Sequence, residues 1–347
     1  ARDYRAGRVF VNVVSGDRHS IESKIQEAKE HLAKATAETW MRTRVERALD
    51  YFATHPRAAE LTIMEFEGVA HRLVKLLTRN TQAYQEYKRR MNNVLQALSP
   101  HVRDQIASIP DWRVAFRTAM IYASIANLLV DLGKPIGRRR IATSLGLPHD
   151  LSLDQLPPAE VSHLVEVVAE RVRTGATVID ELSEFLERLE HSPPEKKTIL
   201  YFIDNPGEVI LDQLVIERVL VAGYRVVVVG RGETIRDDVT WEEARDLLKT
   251  NRHLQPFLTD GRLRVVTDGS YLPGADLSQA SRHPDFLAAW QQSVAFIAKG
   301  GGNFHTLFGQ RLSLPGLFVR MMKDSDIAYQ LLEEARSRKI TARTPFY

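Results

Sequence analysis

At Ser192-Pro193-Pro194 the hydrophobic pattern of this chain changes from helical to alternating. From residue 20 to about 190, apolar residues recur at helical spacing, as in Ile21, Ile25, Ala28 and Leu32, then Val45, Leu49 and Phe52, then Phe66, Val69, Leu73, Leu76 and Leu77. The segment Val114–Leu132 is apolar nearly all round, so it predicts a helix central to the packing. Pro157-Pro158 opens another long helix through Val161, Leu164, Val168, Val172, Ile179, Leu182 and Leu189, with proline tolerated in the first turn. Beyond residue 193, short β-rich runs at Thr198–Ile203, Arg225–Val229, Leu263–Val266, Val294–Ala298 and Leu317–Val319 alternate with helical runs. These helices fall near Glu208–Ala222, Thr240–Leu248, Pro284–Gln292, Phe304–Gln310 and Asp326–Arg336.

Such alternation implies crossover connections and a mostly parallel sheet covered on both faces. The expected fold is therefore α/β: a mostly parallel, Rossmann-like three-layer α/β/α domain over 193–347, preceded by an all-helical subdomain over 1–192. A length of 347 residues accommodates both parts. The chain has no cysteine, which excludes disulfides, thiolate nucleophiles and thiolate metal sites, so any metal is held by oxygen or imidazole. No apolar run approaches the roughly 20 residues that span a bilayer, and Ala1-Arg2-Asp3-Tyr4 starts no signal-peptide core. The expectation is a cytoplasmic protein that engages no membrane. A net charge of +3 gives no reason to invoke nucleic acid, and Arg113/Arg117 and Arg138-Arg139-Arg140 read as solvated helix faces. Oligomeric state is open.

In open parallel sheets, ligands bind beyond the carboxyl ends of the strands. Those loops read Asp204-Asn205-Pro206-Gly207-Glu208, then Gly230-Arg231-Gly232-Glu233 running to Asp237-Asp238-Val239-Thr240, then Asp268-Gly269-Ser270. Lys299-Gly300-Gly301-Gly302-Asn303 follows the fourth strand, and Arg320 and Lys323 follow the fifth. Carboxylate and amide oxygens at Asp204 and Asn205 suit magnesium, manganese or a similar hard ion. From this loop alone, a cap on the following helix accounts for the same residues. Asp238 is equally open, because Thr240-Trp241-Glu242-Glu243 resembles a capping box. Three glycines between a strand and a helix let backbone amides approach an anion, with Lys299 adding positive charge. The run is neither a Walker loop nor a dinucleotide fingerprint. Pro206 in second place after Asp204 also argues against the Asp-x-Asp of haloacid-dehalogenase enzymes.

Three segments together carry a more specific signal: Ile203-Asp204-Asn205-Pro206-Gly207-Glu208, Arg231-Gly232-Glu233-Thr234-Ile235-Arg236-Asp237-Asp238-Val239-Thr240, and Lys299-Gly300-Gly301-Gly302-Asn303-Phe304. In order and spacing they resemble the damage-control metal-dependent phosphatases, the family called domain of unknown function eighty-nine, which includes the so-called acidic-residue methyltransferase. The resemblance covers about residues 195–335 and is looser in the helical half, at Ser124-Ile125-Ala126-Asn127 and Asp131-Leu132-Gly133. It implies one divalent metal ion (manganese, cobalt, nickel or magnesium) bound by Asp204, Asn205 and Asp238. It also implies that Asp204, Asp237 and Lys299 carry the chemistry, and that Glu208, Asn127, Asn303, Arg320 and Lys323 contact substrate. Pro206 stands where the family has Ala, Asp237 where it has Asn, and His305 where it has Glu or Tyr. Arg320-Met321-Met322-Lys323 resembles an Arg-Thr-x-Lys element with its Thr replaced.

The implied function is hydrolysis of a small phosphomonoester, a sugar phosphate or damaged phosphometabolite, by metal-activated water. S-adenosylmethionine-dependent carboxyl methyl transfer is a second possibility, although the first strand-to-helix loop lacks the glycine-rich cradle usual for that cofactor. A non-catalytic metal-binding adaptor using the helical half is a third, although an inactive member should have lost the acidic residues that this chain keeps.

Overall fold

The computed structural model describes residues 18–132, 156–171, 181–192, 197–308, 310 and 312–320. The expected helix Asp326–Arg336, the residues Lys323, Val172, Ile179 and Arg138-Arg139-Arg140, and the side chain of Asn127 lie outside them.

Seven described α-helices precede the sheet: α1 (Arg18–Ala35), α2 (Thr39–Thr54), α3 (Ile63–Thr78), α4 (Gln85–Ala107), α5 (Trp112–Leu132), α6 (Pro158–Arg171) and α7 (Leu182–Glu190). The alternating half follows as β1 (Thr198–Phe202), α8 (Glu208–Val221), β2 (Arg225–Gly230), α9 (Trp241–Thr250), α10 (Gln255–Thr259) and β3 (Leu263–Thr267). It continues through α11 (Leu277–Ala280), α12 (Pro284–Gln292), β4 (Ser293–Lys299), α13 (Gly300–Leu307) and β5 (Gly316–Val319). All four strand pairings are parallel, in the order β3-β2-β1-β4-β5. From β1 the chain builds outward to β2 and β3, then crosses back to add β4 on the other side of β1. The carboxyl ends of β1 and β4 therefore form the topological switch point where such sheets bind ligands.

Side chains on successive strand residues point to opposite faces, so each strand feeds two cores. Leu200, Phe202, Val227, Val229, Phe296 and Ala298 pack under α12 with Phe286 and Trp290. Ile199, Tyr201, Val226, Val228, Ala295 and Ile297 face the other way, into a cluster that runs without a break to Leu95 on α4 and Phe116 on α5. Packing thus crosses the division at residue 193. The helix α8, buried almost all round, lies in this cluster together with α5. A helix with no solvent face is expected to be apolar all round, yet α8 buries Glu208, Asp212, Gln213 and Glu217. Glu217 pairs with Arg103 of α4 at 3.0 Å; the first two belong to the site described below.

Helices α1–α3 close on their own core of Ile25, Leu32, Val45, Leu49, Phe66 and Val74. The stripe expected on α3 is shifted here: Leu76 is 66% and Leu77 38% exposed, while Ala70 and Val74 take the interior. A capping box starts α3, with Thr62 Oγ1 accepting from the Glu65 amide and Glu65 Oε2 accepting from the Thr62 amide. The arginines read as a solvated face are tied to α7, Arg113 to Glu190 and Arg117 to Ser183. Among the described residues no helix is long and apolar enough to cross a membrane.

Polar contacts join α1–α3 to the loop after β2. Arg236, in a left-handed backbone conformation with φ 52°, reaches Glu27 at 2.6 Å and Glu67 at 3.5 Å. Lys75 donates to Glu233 at 3.0 Å and to the Thr234 carbonyl at 2.8 Å. Lys24 lies 2.7 Å from Glu67. Burial alone would raise the Glu67 carboxyl, but Lys24 and Arg236 outweigh it and hold the group at about 2. A depressed carboxylate stabilises the fold above its unfolded value near 4.5, and that contribution disappears as pH falls toward 2. We therefore expect Glu67→Gln to lower stability by about 3 kcal/mol at pH 7 and by much less at pH 3, read by denaturant titration at both. Equal losses at the two pH values would contradict this.

Candidate functional site

The sequence left the Asx residues after β1 as either ligands or caps. The N-cap of α8 is Gly207, with φ 71° and no side-chain capping hydrogen bond, so neither Asp204 nor Asn205 caps the helix. Instead the Asn205 amide donates to Asp204 Oδ2 at 2.9 Å and to Glu208 Oε1 at 2.7 Å. Both donors of the Asn205 amide are thus engaged by carboxylates. The same question at Asp238 has the same answer. Thr240 caps α9 through its own box with Glu243, at 3.3 and 3.0 Å, and Asp238 is not needed there. The loops bearing Asp204 and Asp238 are joined directly, since the Val239 amide donates to the Asp204 carbonyl at 2.9 Å.

Beneath these carboxylates lies Arg231, wholly buried at the end of β2. Its guanidinium is 3.8 Å from Asp204, 3.8 Å from Asp238 and 3.4 Å from Asp268, and it donates to the Pro273 carbonyl at 3.1 Å. Three carboxylates thus share one fixed cation, and Asp237 lies buried beside them. Burial first, then repulsion from Asp204, pushes the Asp238 carboxyl well above the usual range, and burial brings Asp268 up to about 6. Asp238 Oδ2 is buried and accepts no hydrogen bond. Buried charge is tolerated when it is paired or bound to a metal. An orphaned carboxylate oxygen and an excess of negative charge therefore fit a hard divalent cation at Asp204 and Asp238, which Asn205 would join through Oδ1 once its amide turned over.

The glycine run after β4 has a more particular role than expected. Gly300, with φ 79°, opens α13, and a Cβ there would lie 1.7 Å from Asp204 Oδ2. Gly302 packs on the Pro273 carbonyl, where a Cβ would approach to 1.8 Å, whereas Gly301 faces open space. The first residue of α13 therefore abuts the Asp204 carboxylate.

Other residues singled out from the sequence are placed differently from that reading. Lys299 is 1% exposed, and its ammonium donates to the Ala123 carbonyl at 2.5 Å and lies 3.4 Å from Glu208 and 3.3 Å from Asp212. Burial alone would lower its pKa, but Asp212 and Glu208 outweigh it and raise the group. Lys299, expected to carry the chemistry, thus sits as the counter-ion of a buried acid pair. Asp212 also accepts from the Tyr201 hydroxyl at 2.8 Å and sits at about 6, raised first by burial. Asn303 is wholly buried; its amide donates to the Ile203 and Lys299 carbonyls at 3.0 and 2.8 Å and its oxygen accepts from the Ala275 amide at 3.0 Å. This makes it a strut tying α13 to β1, with no amide group left for phosphate. Glu208 is also fully buried, between Asn205 and Lys299. Arg320 stacks its guanidinium 4.6 Å from the Phe304 ring centre, and His305 is half-buried at that ring's edge. We expect Lys299→Met to destabilise the protein by about 3–5 kcal/mol, because it leaves Glu208 and Asp212 without their cation. A variant with unchanged thermal stability would show that the ammonium is not needed there.

Reading the strand ends alone overlooked Arg231 and Asp268 as members of the site. It also overlooked a cluster between α1 and α3, where ligand atoms of Glu27, Glu67 and His71 lie within 4.8 Å of one another. Lys24 and Arg236 already supply two positive charges to that cluster, so it is a neutralised ion-pair network.

A parallel sheet with a buried acidic cluster at its switch point defines a Rossmann-like α/β protein with a candidate ligand site at the carboxyl edge. The family follows from sequence: residues 16–339 match the damage-control phosphatase ARMT1-like domain, and the chain belongs to that family. It is 26% identical over 262 residues to the uncharacterized protein MJ0202 of Methanocaldococcus jannaschii, covering 75% of this chain and 73% of that one. It is 28% identical over 144 residues to the damage-control phosphatase PH1575 of Pyrococcus horikoshii, covering 41% of this chain and 45% of the relative. The crystal structure of PH1575, a DUF89 family protein, superposes with a TM-score of 0.65 over 94% of this chain and 96% of that one, at 18% identity, which establishes a shared fold.

Proposed function

We propose that this protein is a metal-dependent phosphatase acting on a small phosphomonoester, a sugar phosphate or damaged phosphometabolite. The observation that supports this reading is the close approach of Asp204 Oδ2 to Gly300, the first residue of α13, so that a cation held by Asp204 would lie beside an anion at the helix N-terminus. Asp204, Asn205 and Asp238 hold one divalent ion, of the manganese, cobalt, nickel or magnesium type. When bound, that ion polarises a phosphoryl oxygen and acidifies water. The half-buried Gly301, beside open space at the N-terminus of α13, receives the phosphate, where helix amides favour an anion. Arg320 lies beside the same helix through Phe304 and reaches the ester or its leaving group, and Lys323 is assigned to the phosphate as well. Arg231 fixes the spacing of Asp204 and Asp238. Lys299, Glu208 and Asn303 hold Asn205 and α13 in register, and Asp204 or Asp237 serves as base or nucleophile.

The test is a phosphatase screen over a panel of phosphometabolites, with manganese, cobalt, nickel and magnesium supplied in turn. The proposal expects turnover of at least one small phosphomonoester that chelation abolishes. Hydrolysis of none with any metal, or rates insensitive to chelation, would refute it. Saturable calorimetric binding of S-adenosylmethionine without metal would favour the methyltransferase reading instead.

A further inference from the structure

Both loops assigned to the metal are gripped from the helical half by one face of α4, at residues no strand-end motif contains. Lys88 and Asn92 are four residues apart, one helical turn, and so project from the same face. Lys88 is 4% exposed, and its ammonium donates to the Asp238 carbonyl at 2.7 Å and to both oxygens of Glu243 at 2.8 and 3.0 Å. Glu243 is the carboxylate that closes the capping box of α9, so a single ammonium fixes the Asp238 peptide and the start of the next helix together. One turn on, Asn92 Oδ1 accepts from the Gly207 amide at 2.6 Å. That amide ends the turn that carries Asp204 and Asn205, and its helix has no side-chain cap of its own. The two grips belong to one frame, because the Asp204 carbonyl is bonded to the Val239 amide between them.

We propose that Lys88 and Asn92 are positioning residues that set the separation of Asp204-Asn205 from Asp238, and hence the metal affinity of the site; this rests on the metal assignment made above. Their effect is preorganisation of the ligands. Asp238 and Asp204 repel each other, and the Arg231 guanidinium 3.8 Å from each offsets that repulsion only from below, so without a metal ion the spacing of their loops also depends on what holds the backbone. A hydrogen bond to the backbone of each loop from a rigid helix holds that spacing without touching the metal. Groups that hold ligands in this way commonly govern affinity by about 10–100-fold. Lys88 suits the task because its three donors meet three acceptors, and it adds positive charge behind Asp238 without coordinating anything.

The experiment is Mn²⁺ titration of the full chain, read by the electron paramagnetic resonance of free and bound ion, on the wild type and on Lys88→Met, Lys88→Arg, Asn92→Leu, Leu98→Ala and Asp238→Asn. Leu98 is a core residue of α4, 3% exposed, so its truncation reports loss of packing alone. The proposal expects Lys88→Met and Asn92→Leu to weaken Mn²⁺ binding by about 10-fold or more. Lys88→Arg should restore most of the affinity, and Leu98→Ala should lower thermal stability while leaving Mn²⁺ affinity unchanged. Folded Lys88→Met and Asn92→Leu proteins that bind Mn²⁺ as the wild type does would overturn the positioning role and leave the metal site intact. A wild type whose Mn²⁺ binding is absent, or indifferent to Asp238→Asn, would overturn the metal assignment and this inference with it.

Discussion

Replacing Asp204 by alanine is expected to reduce metal-dependent turnover by more than about 100-fold while leaving the metal-free protein as stable as the wild type or more so. The two halves of this expectation have one cause. Asp204 is a buried carboxylate whose acidic neighbour Asp238 is pushed well above its usual range by burial and by Asp204 itself. Removing it relieves repulsion in the absence of a cation, and Arg231 keeps Asp268 at 3.4 Å and Asp238 at 3.8 Å as partners. With a cation present the same change removes a ligand. The thermal shift that saturating Mn²⁺ gives the wild type should therefore vanish in the variant, because stabilisation by a ligand requires binding to the native state. Thermal melts with and without metal, beside a turnover assay, distinguish this from a structural role. A helix cap or core strut would show a lower melting temperature without metal, and that result would sink the ligand assignment.

Gly300→Ala is the second large effect. The added methyl meets the Asp204 carboxylate at 1.7 Å, and the residue holds φ 79°, which costs an L-amino acid about 1–2 kcal/mol. Either the carboxylate swings away from Asn205 or the first turn of α13 unwinds, and both separate the cation seat from the anion seat. We expect turnover and metal affinity to fall together, by about 10-fold or more, with only a modest loss of stability. Gly301→Ala, whose methyl meets open space, should retain metal binding. Equal metal affinity in Gly300→Ala and the wild type would show that Asp204 does not need its present position.

The strands were legible because a buried parallel strand is a continuous apolar run, and Leu200, Phe202, Val227 and Val229 write that run plainly. The placement of Asp204, Asp238 and Lys299 at strand ends followed from it. Strand order did not, since nothing local says that β4 returns to the side of β1 opposite β2. What each polar residue does at its strand end also depended on partners far along the chain. Lys299 reads as a free cation in sequence and becomes a counter-ion only because α8 carries Asp212 on a face the fold buries. Arg231 reads as a loop arginine, yet it turns inward beneath three carboxylates, one of them 37 residues away. Lys88 and Asn92 belong to no sequence motif, and their targets lie 150 and 115 residues further on. The glycine run read as a phosphate cradle, and the nearest atom to a Cβ on its first member belongs to Asp204. Local pattern encodes the elements, whereas the site is a property of how they meet.

The most direct test of the central claim is anomalous diffraction from crystals of this protein soaked in manganese. Metal binding by Asp204, Asn205 and Asp238 predicts one strong peak per chain among these residues, with oxygen ligands, lost in Asp204→Ala crystals. No peak at these residues, or a peak at Glu27, Glu67 and His71 in their place, would contradict it.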